Sequence, residues 1–184
     1  MAFDEFLSNI SIRGRVACVL LCIEEALVVE GIESEPTERM LDEFWVYVED
    51  KKLNTWEEKF VDNYAVIVRY CEDKNDVLLG VFRGIPEYVL EMLSLAMQTA
   101  LNNIYQDIIN HSECTFHPCS TALHLAAAHG IAIPNLKDIE DLSNISQCSG
   151  WGQRRCRSEY HRFAAKNSVM QQFNDNDTTP PYFW

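Results

Sequence analysis

The sequence predicts an all-α protein, a single-domain bundle of about six to eight helices. Three observations carry that expectation. Apolar residues recur at helical spacing through most of the 184 residues. The interruptions are short and fall at Gly-, Pro- or Asn-containing turns. Residues 77–82 read as a short strand or as more helix, and a sheet needs partners that no other segment offers. The length predicts one domain with a core that needs no disulfide staples. Residues 1–173 are assigned to it, and 174–184, polar and Pro-containing, to a loose tail.

Taken in order, Phe3, Phe6, Leu7 and Ile10 give a short apolar rhythm that caps the domain. Residues 13–30 form a helix with Val16, Val19, Leu20, Ile23 and Leu27 on one face. Cys18, Cys22 and Ala26 lie beside that face, which marks a buried helix ended by Gly31. Pro36 then opens a helix whose apolar side carries Leu41, Phe44, Trp45 and Val48. An acidic strip runs beside it, with Trp45 at the seam. A break at Leu53-Asn54 precedes a capping-box pattern, Asn54 with Glu57 or Thr55 with Glu58. Trp56, Phe60, Tyr64, Ile67, Val68 and Cys71 form the buried side of that third helix.

Residues 72–76 read as a turn. Pro86 opens the longest periodic run, to about residue 110, which is expected to be the central helix. Residues 112–118 read as a break, 120–129 as an Ala-rich helix ended by Gly130, and 134–145 as a short helix with Leu136, Ile139 and Leu142 inside. Gly150-Trp151-Gly152 reads as a hinge or tight turn, and a basic helical segment follows from Gln153.

The formal net charge is −13, and it is uneven. Residues 1–110 hold 21 acids against 9 bases, while 111–184 hold 7 against 6. Such a balance argues against nucleic acid, whose phosphates need Lys and Arg to neutralise them. It favours a basic protein partner, although solubility alone also accounts for it. No basic leader and no run of about 20 apolar residues precedes or interrupts the chain, so no membrane span is expected. Seven cysteines, an odd count, fit a cytoplasmic chain with reduced thiols.

The sequence offers three kinds of candidate site besides the acidic strip. His111, Cys114, His117 and Cys119 fall within nine residues, but the paired spacing of a zinc module is missing, and no metal or cofactor is assigned. Residues 120–130 match one ankyrin segment, with Thr121 and His124 in its pattern, but there is no second copy to stack against. Cys156, among Arg154, Arg155 and Arg157, is the most reactive thiol candidate, with His161 as a base on paper. A metal-dependent or thiol enzyme centred on the 111–119 cluster or on Cys156 is therefore the alternative reading. The preferred one is a non-catalytic binding face made of Glu35, Glu38, Asp42, Trp45 and Glu49. There the carboxylates steer Lys and Arg, and an exposed edge of Trp45 or Tyr47 anchors the partner.

The first half of the chain, RVACVLLCIEEALVVEGI through MLDEFWVYVEDKKLNTWEEKFVDNYAVIV, resembles the acidic, all-α immunity proteins of bacterial polymorphic toxin systems. The likeness lies in helix order, acidity and paired tryptophans. It implies binding and blocking a cognate toxin, often a basic nuclease, made by the same cell. The basic residues 154–162 depart from a uniformly acidic surface.

Overall fold

Helix α2 (Ile12–Val29) is the element the others are packed around. The computed structural model describes residues 3–50, 52–68, 80, 82–104 and 112–162. It is all-α, and α2 is buried on every side from Ile12 to Leu27. Ser11 caps its start, the hydroxyl accepting from the Gly14 N–H at 3.2 Å. Its end is a left-handed turn: Gly31 adopts φ +64° so that the Ile32 N–H reaches back to Leu27 O at 2.9 Å.

Seven further α-helices surround it among the described residues: α1 (Phe3–Leu7), α3 (Glu35–Glu49), α4 (Leu53–Val68), α5 (Glu87–Leu101), α6 (Glu113–Ala128), α7 (Leu136–Leu142) and α8 (Arg157–His161). Helices α5, α6, α3 and α7 all pack on α2. The central helix is therefore α2, not the run after Pro86. Helix α5 leaves Leu90, Glu91 and Gln98 only half-buried, whereas α2 has no such side before its last two residues. The link from α1 to α2 is tied to the chain after α7 by an isolated antiparallel bridge, Ile10 to Asn144.

Two charged side chains in α2 hold neighbouring helices by their ends. Arg13 donates to the carbonyls of Val48 and Asp50, where α3 has run out of its own donors. Arg15, fully buried, donates to Leu7 O at the end of α1 and to Ser112 O and Thr115 Oγ1 at the start of α6. A guanidinium suits this task because it spreads several donors in a fixed fork.

Two boundaries differ from the sequence expectation. Helix α5 stops at Leu101, not near residue 110. Asn102 and Asn103 turn their amides onto Cys114 O and Ser112 Oγ, at 2.9 and 2.8 Å, and stitch the helix end to the start of α6. Helix α6 in turn begins at Glu113, with Pro118 inside it. A proline there leaves the carbonyl four residues earlier without its helical donor. That carbonyl is Cys114 O, and Asn102 supplies the missing hydrogen bond. The ankyrin-like residues 120–130 accordingly belong to the body and end of one helix.

Helices α3 and α4 meet through rings. Phe44 lies 4.3 Å from Phe60 between centroids, Trp56 4.7 Å from Phe60, and Tyr47 4.9 Å from Trp56. Trp56, Phe60 and Ile67 are buried as their spacing requires. Residues 72–79, the strand candidate at 77–79 and 81, and the tail from 163 lie outside the described residues.

Candidate partner-binding site

The acidic strip of α3 is real, but the structure divides it. Glu35, Glu38, Asp42 and Glu49 share one side of the helix, and Glu35, Asp42 and Glu49 are exposed. Trp45 is not: it is 2% exposed, and Tyr47 is fully buried. The expectation that an exposed edge of either ring anchors a partner is therefore corrected. At about 100° per residue Trp45 falls at the seam of the strip, and packing turned it inward.

What holds Trp45 there is a carboxylate inside α2. Glu24, 4% exposed, accepts from the Trp45 indole Nε1–H at 2.6 Å. The same oxygen receives the Arg157 guanidinium, and the second oxygen meets His161 Nε2 at 2.9 Å. Burial alone would push this carboxyl's pKa up. The Arg157 and His161 charges, with the hydrogen bonds from His161 and Trp45, outweigh it and hold the group below the ordinary carboxylate value.

Arg157 also crosses to the acidic strip. Its guanidinium bonds Asp42 Oδ1 at 2.7 Å and its backbone N–H donates to Glu49 Oε1 at 2.8 Å. The guanidinium carbon stands 5.5 Å from the Trp45 ring centroid. Three of the five candidate residues, Asp42, Trp45 and Glu49, are thus gathered around one arginine of the chain itself. Tyr160, fully buried, and His161 close over Trp45 at 5.9 and 5.7 Å.

The other two candidates stand apart from that hub. Glu35 pairs loosely with Arg39 at 3.6 Å, both being well exposed. Glu38 lies between carboxylates: partial burial and then the charges of Asp42, Glu33 and Glu35 push its pKa up. This end of α3 is where negative charge is crowded. Beside the strip, a cleft of about 330 Å³ opens between α3 and α4. Val46, Glu43 and Asp50 line one wall; Trp56, Lys52 and Lys59 line the other. Its charges are balanced, so it adds nothing to the acidic face.

The described cysteine and histidine candidates differ in burial and in partners. Cys119 is buried, its thiol pushed up to about 12 by desolvation, and burial likewise pushes Cys18 and Cys22 well above the ordinary thiol value. Cys114 donates to Asn103 Oδ1, while His117 faces solvent. Among the described residues no three His, Cys, Asp or Glu side chains converge to hold a metal ion, and His111 lies outside them. Around Cys156 the expected arginine cluster is directed elsewhere. Arg155 is bonded to Glu159 and Gln153, and Arg157 to Glu24 and Asp42. The Cys156 Sγ itself lies 3.3 Å from a Glu159 oxygen, and His161 is turned onto Glu24.

Sequence reasoning did not single out Glu24, Arg157 or His161 for this site. The available signal was an acid set in the apolar run of α2 beside a basic segment far along an otherwise acidic chain. Among the described residues no helix is long and apolar enough to cross a membrane. Comparison of the chain with protein-family models, with curated proteins and with solved structures returned no match.

Proposed function

We propose that this chain is a non-catalytic, cytoplasmic binding protein that neutralises a basic protein, as a bacterial immunity protein neutralises its cognate toxin. The observation that supports it best is the crowding of Glu33, Glu35, Glu38 and Asp42 at the start of α3, where partial burial and then the neighbouring carboxylates push Glu38 up. A cationic side chain placed among them relieves that repulsion, and one-sign fields of this kind speed encounter with the opposite charge. The toxin-directed part of the reading, and a nuclease as the target class, rest on the sequence resemblance.

The test is affinity capture from the native cell extract at low and at high salt, with the wild-type protein and a Glu33→Lys/Glu35→Lys/Glu38→Lys variant as baits. Asp42 and Glu49 are left intact because they hold α8. One basic protein, retained by wild type at low salt and lost both with salt and in the variant, is the expected result. Equal capture by both baits would sink the acidic face as the binding surface.

A further inference from the structure

We propose that Glu24, Asp42 and Trp45 form an arginine-recognition socket, filled in this chain by its own Arg157, and that the basic partner enters by presenting an arginine to it. The second half of this statement rests on the binding function proposed above; the first half does not. Glu24 forms the floor of the socket at 4% exposure, Asp42 its mouth at 65%, and the Trp45 ring its wall. The occupant is visible. One guanidinium reaches floor and mouth together, lies over the ring, and is itself 19% exposed.

The arrangement suits arginine specifically. A planar fork meets two carboxylates with N–H groups on separate nitrogens while its flat face lies on an indole; an ammonium has its three donors on one nitrogen and no face to stack. The Trp45 Nε1–H also takes part of the floor carboxylate, which fixes the oxygen that faces the guanidinium. Helix α8 brings only five residues to this contact, so the socket is closed by a short segment rather than by a core helix. Exchange must also uncover Tyr160, which is why a guest arginine competes with Arg157 instead of simply adding to it.

The experiment uses the full chain as wild type, Arg157→Ala and Arg157→Lys. Thermal unfolding of Arg157→Ala is followed with millimolar N-ethylguanidinium, which replaces the deleted side-chain atoms, and with propylammonium as the lysine-like control. Binding of hexa-arginine amide and hexa-lysine amide to wild type and Arg157→Ala is then measured at physiological salt.

Ethylguanidinium is expected to raise the midpoint of Arg157→Ala but not of wild type, and propylammonium to raise neither. Hexa-arginine is expected to bind Arg157→Ala about tenfold more tightly than wild type, as one freed set of charge-assisted bonds implies. Hexa-lysine should show no such gap. Equal rescue by both cations, or no rescue, overturns the socket. Equal affinity of hexa-arginine for the two proteins overturns the exchange. Should Arg157→Ala fail to fold, Arg157→Lys decides: a midpoint like that of wild type shows that charge alone is read and overturns arginine recognition, while a clear drop upholds it. None of these readings depends on whether a natural partner is captured.

Discussion

Replacing Glu24 by Gln removes a charge from the centre of the molecule and almost nothing else. The amide oxygen can still accept from Trp45 Nε1, so the shape of the site survives; the amide nitrogen is a donor towards His161 and keeps that bond only with a neutral imidazole whose Nε2 accepts. What is lost is the carboxylate opposite Arg157. Removing one partner of a buried ion pair costs about 3–5 kcal/mol, because the other charge is left without compensation. Arg157 keeps Asp42, a pair whose carboxylate is 65% exposed and worth about 1 kcal/mol at most. The expected loss is therefore about 3 kcal/mol, or about 6–12 °C in the midpoint of a chain this size.

Urea unfolding at neutral pH measures that loss, and a cycle with Arg157→Ala tests its cause. With the guanidinium gone, Glu24 is a buried carboxylate served by Trp45 and His161 alone, and neutralising it is expected to cost about 1 kcal/mol or less. The coupling is then about 2 kcal/mol. An equal cost of Glu24→Gln in both backgrounds would show that Glu24 does not act through Arg157.

The same carboxylate sets an acid limb. Its folded pKa lies below the ordinary value of 4.5, so its contribution is complete above that pH and is lost as pH falls through the lower, folded value. Urea midpoints taken from pH 7 to pH 3 should fall less steeply in Glu24→Gln than in wild type; parallel curves would count against the assignment. Gly152→Ala puts a Cβ 2.0 Å from Ser11 Oγ at a φ of +80° and is expected to cost about 3 kcal/mol. Gly31→Ala has a similar φ but open space around it, and should cost only about 1 kcal/mol in the same melts. In a short iodoacetamide pulse at pH 8, read by peptide mass spectrometry, Cys148 and Cys156 should be labelled and Cys18, Cys22 and Cys119 spared. Labelling of Cys119 as fast as Cys148 would refute its burial.

Periodicity alone located α2, α3, α4 and α7, because each has a face that the core must cover. It placed the end of α5 too late, since Ile104 and Ile108 keep the apolar rhythm while Asn102 and Asn103 have already turned away. It placed the start of α6 too late because Pro118 reads as a breaker. The compensating donor, Asn102, belongs to another helix and cannot be seen from the local sequence. Arg13 and Arg15 illustrate the same limit. A pair of arginines reads as surface, yet their acceptors are helix-end carbonyls that exist only once the helices are packed. The acidic strip was legible as a pattern of charge. Its division was not, because Glu24, Arg157 and His161 come from segments more than 130 residues apart.

That division separates two roles along α3 for the proposed partner. Asp42 and Glu49 are engaged by Arg157, and on other helices Glu159 is held by Arg155, and Glu140 and Asp141 by Lys137. Among the described residues Glu35 is offset by an exposed arginine at 3.6 Å, a pair of little worth. Carboxylates one helical turn apart lie well inside the screening length of about 8 Å at physiological salt, so their fields add. An approaching cation therefore senses the start of α3 first and the socket only on contact. Charge reversal at Glu38 should slow association and flatten its salt dependence while leaving dissociation nearly unchanged. Asp42→Asn, at the mouth of the socket, should instead shorten the lifetime of the complex. Surface plasmon resonance at two salt concentrations separates the two rates. If both substitutions changed only the association rate, the socket would be part of the steering field and not a seat for the partner.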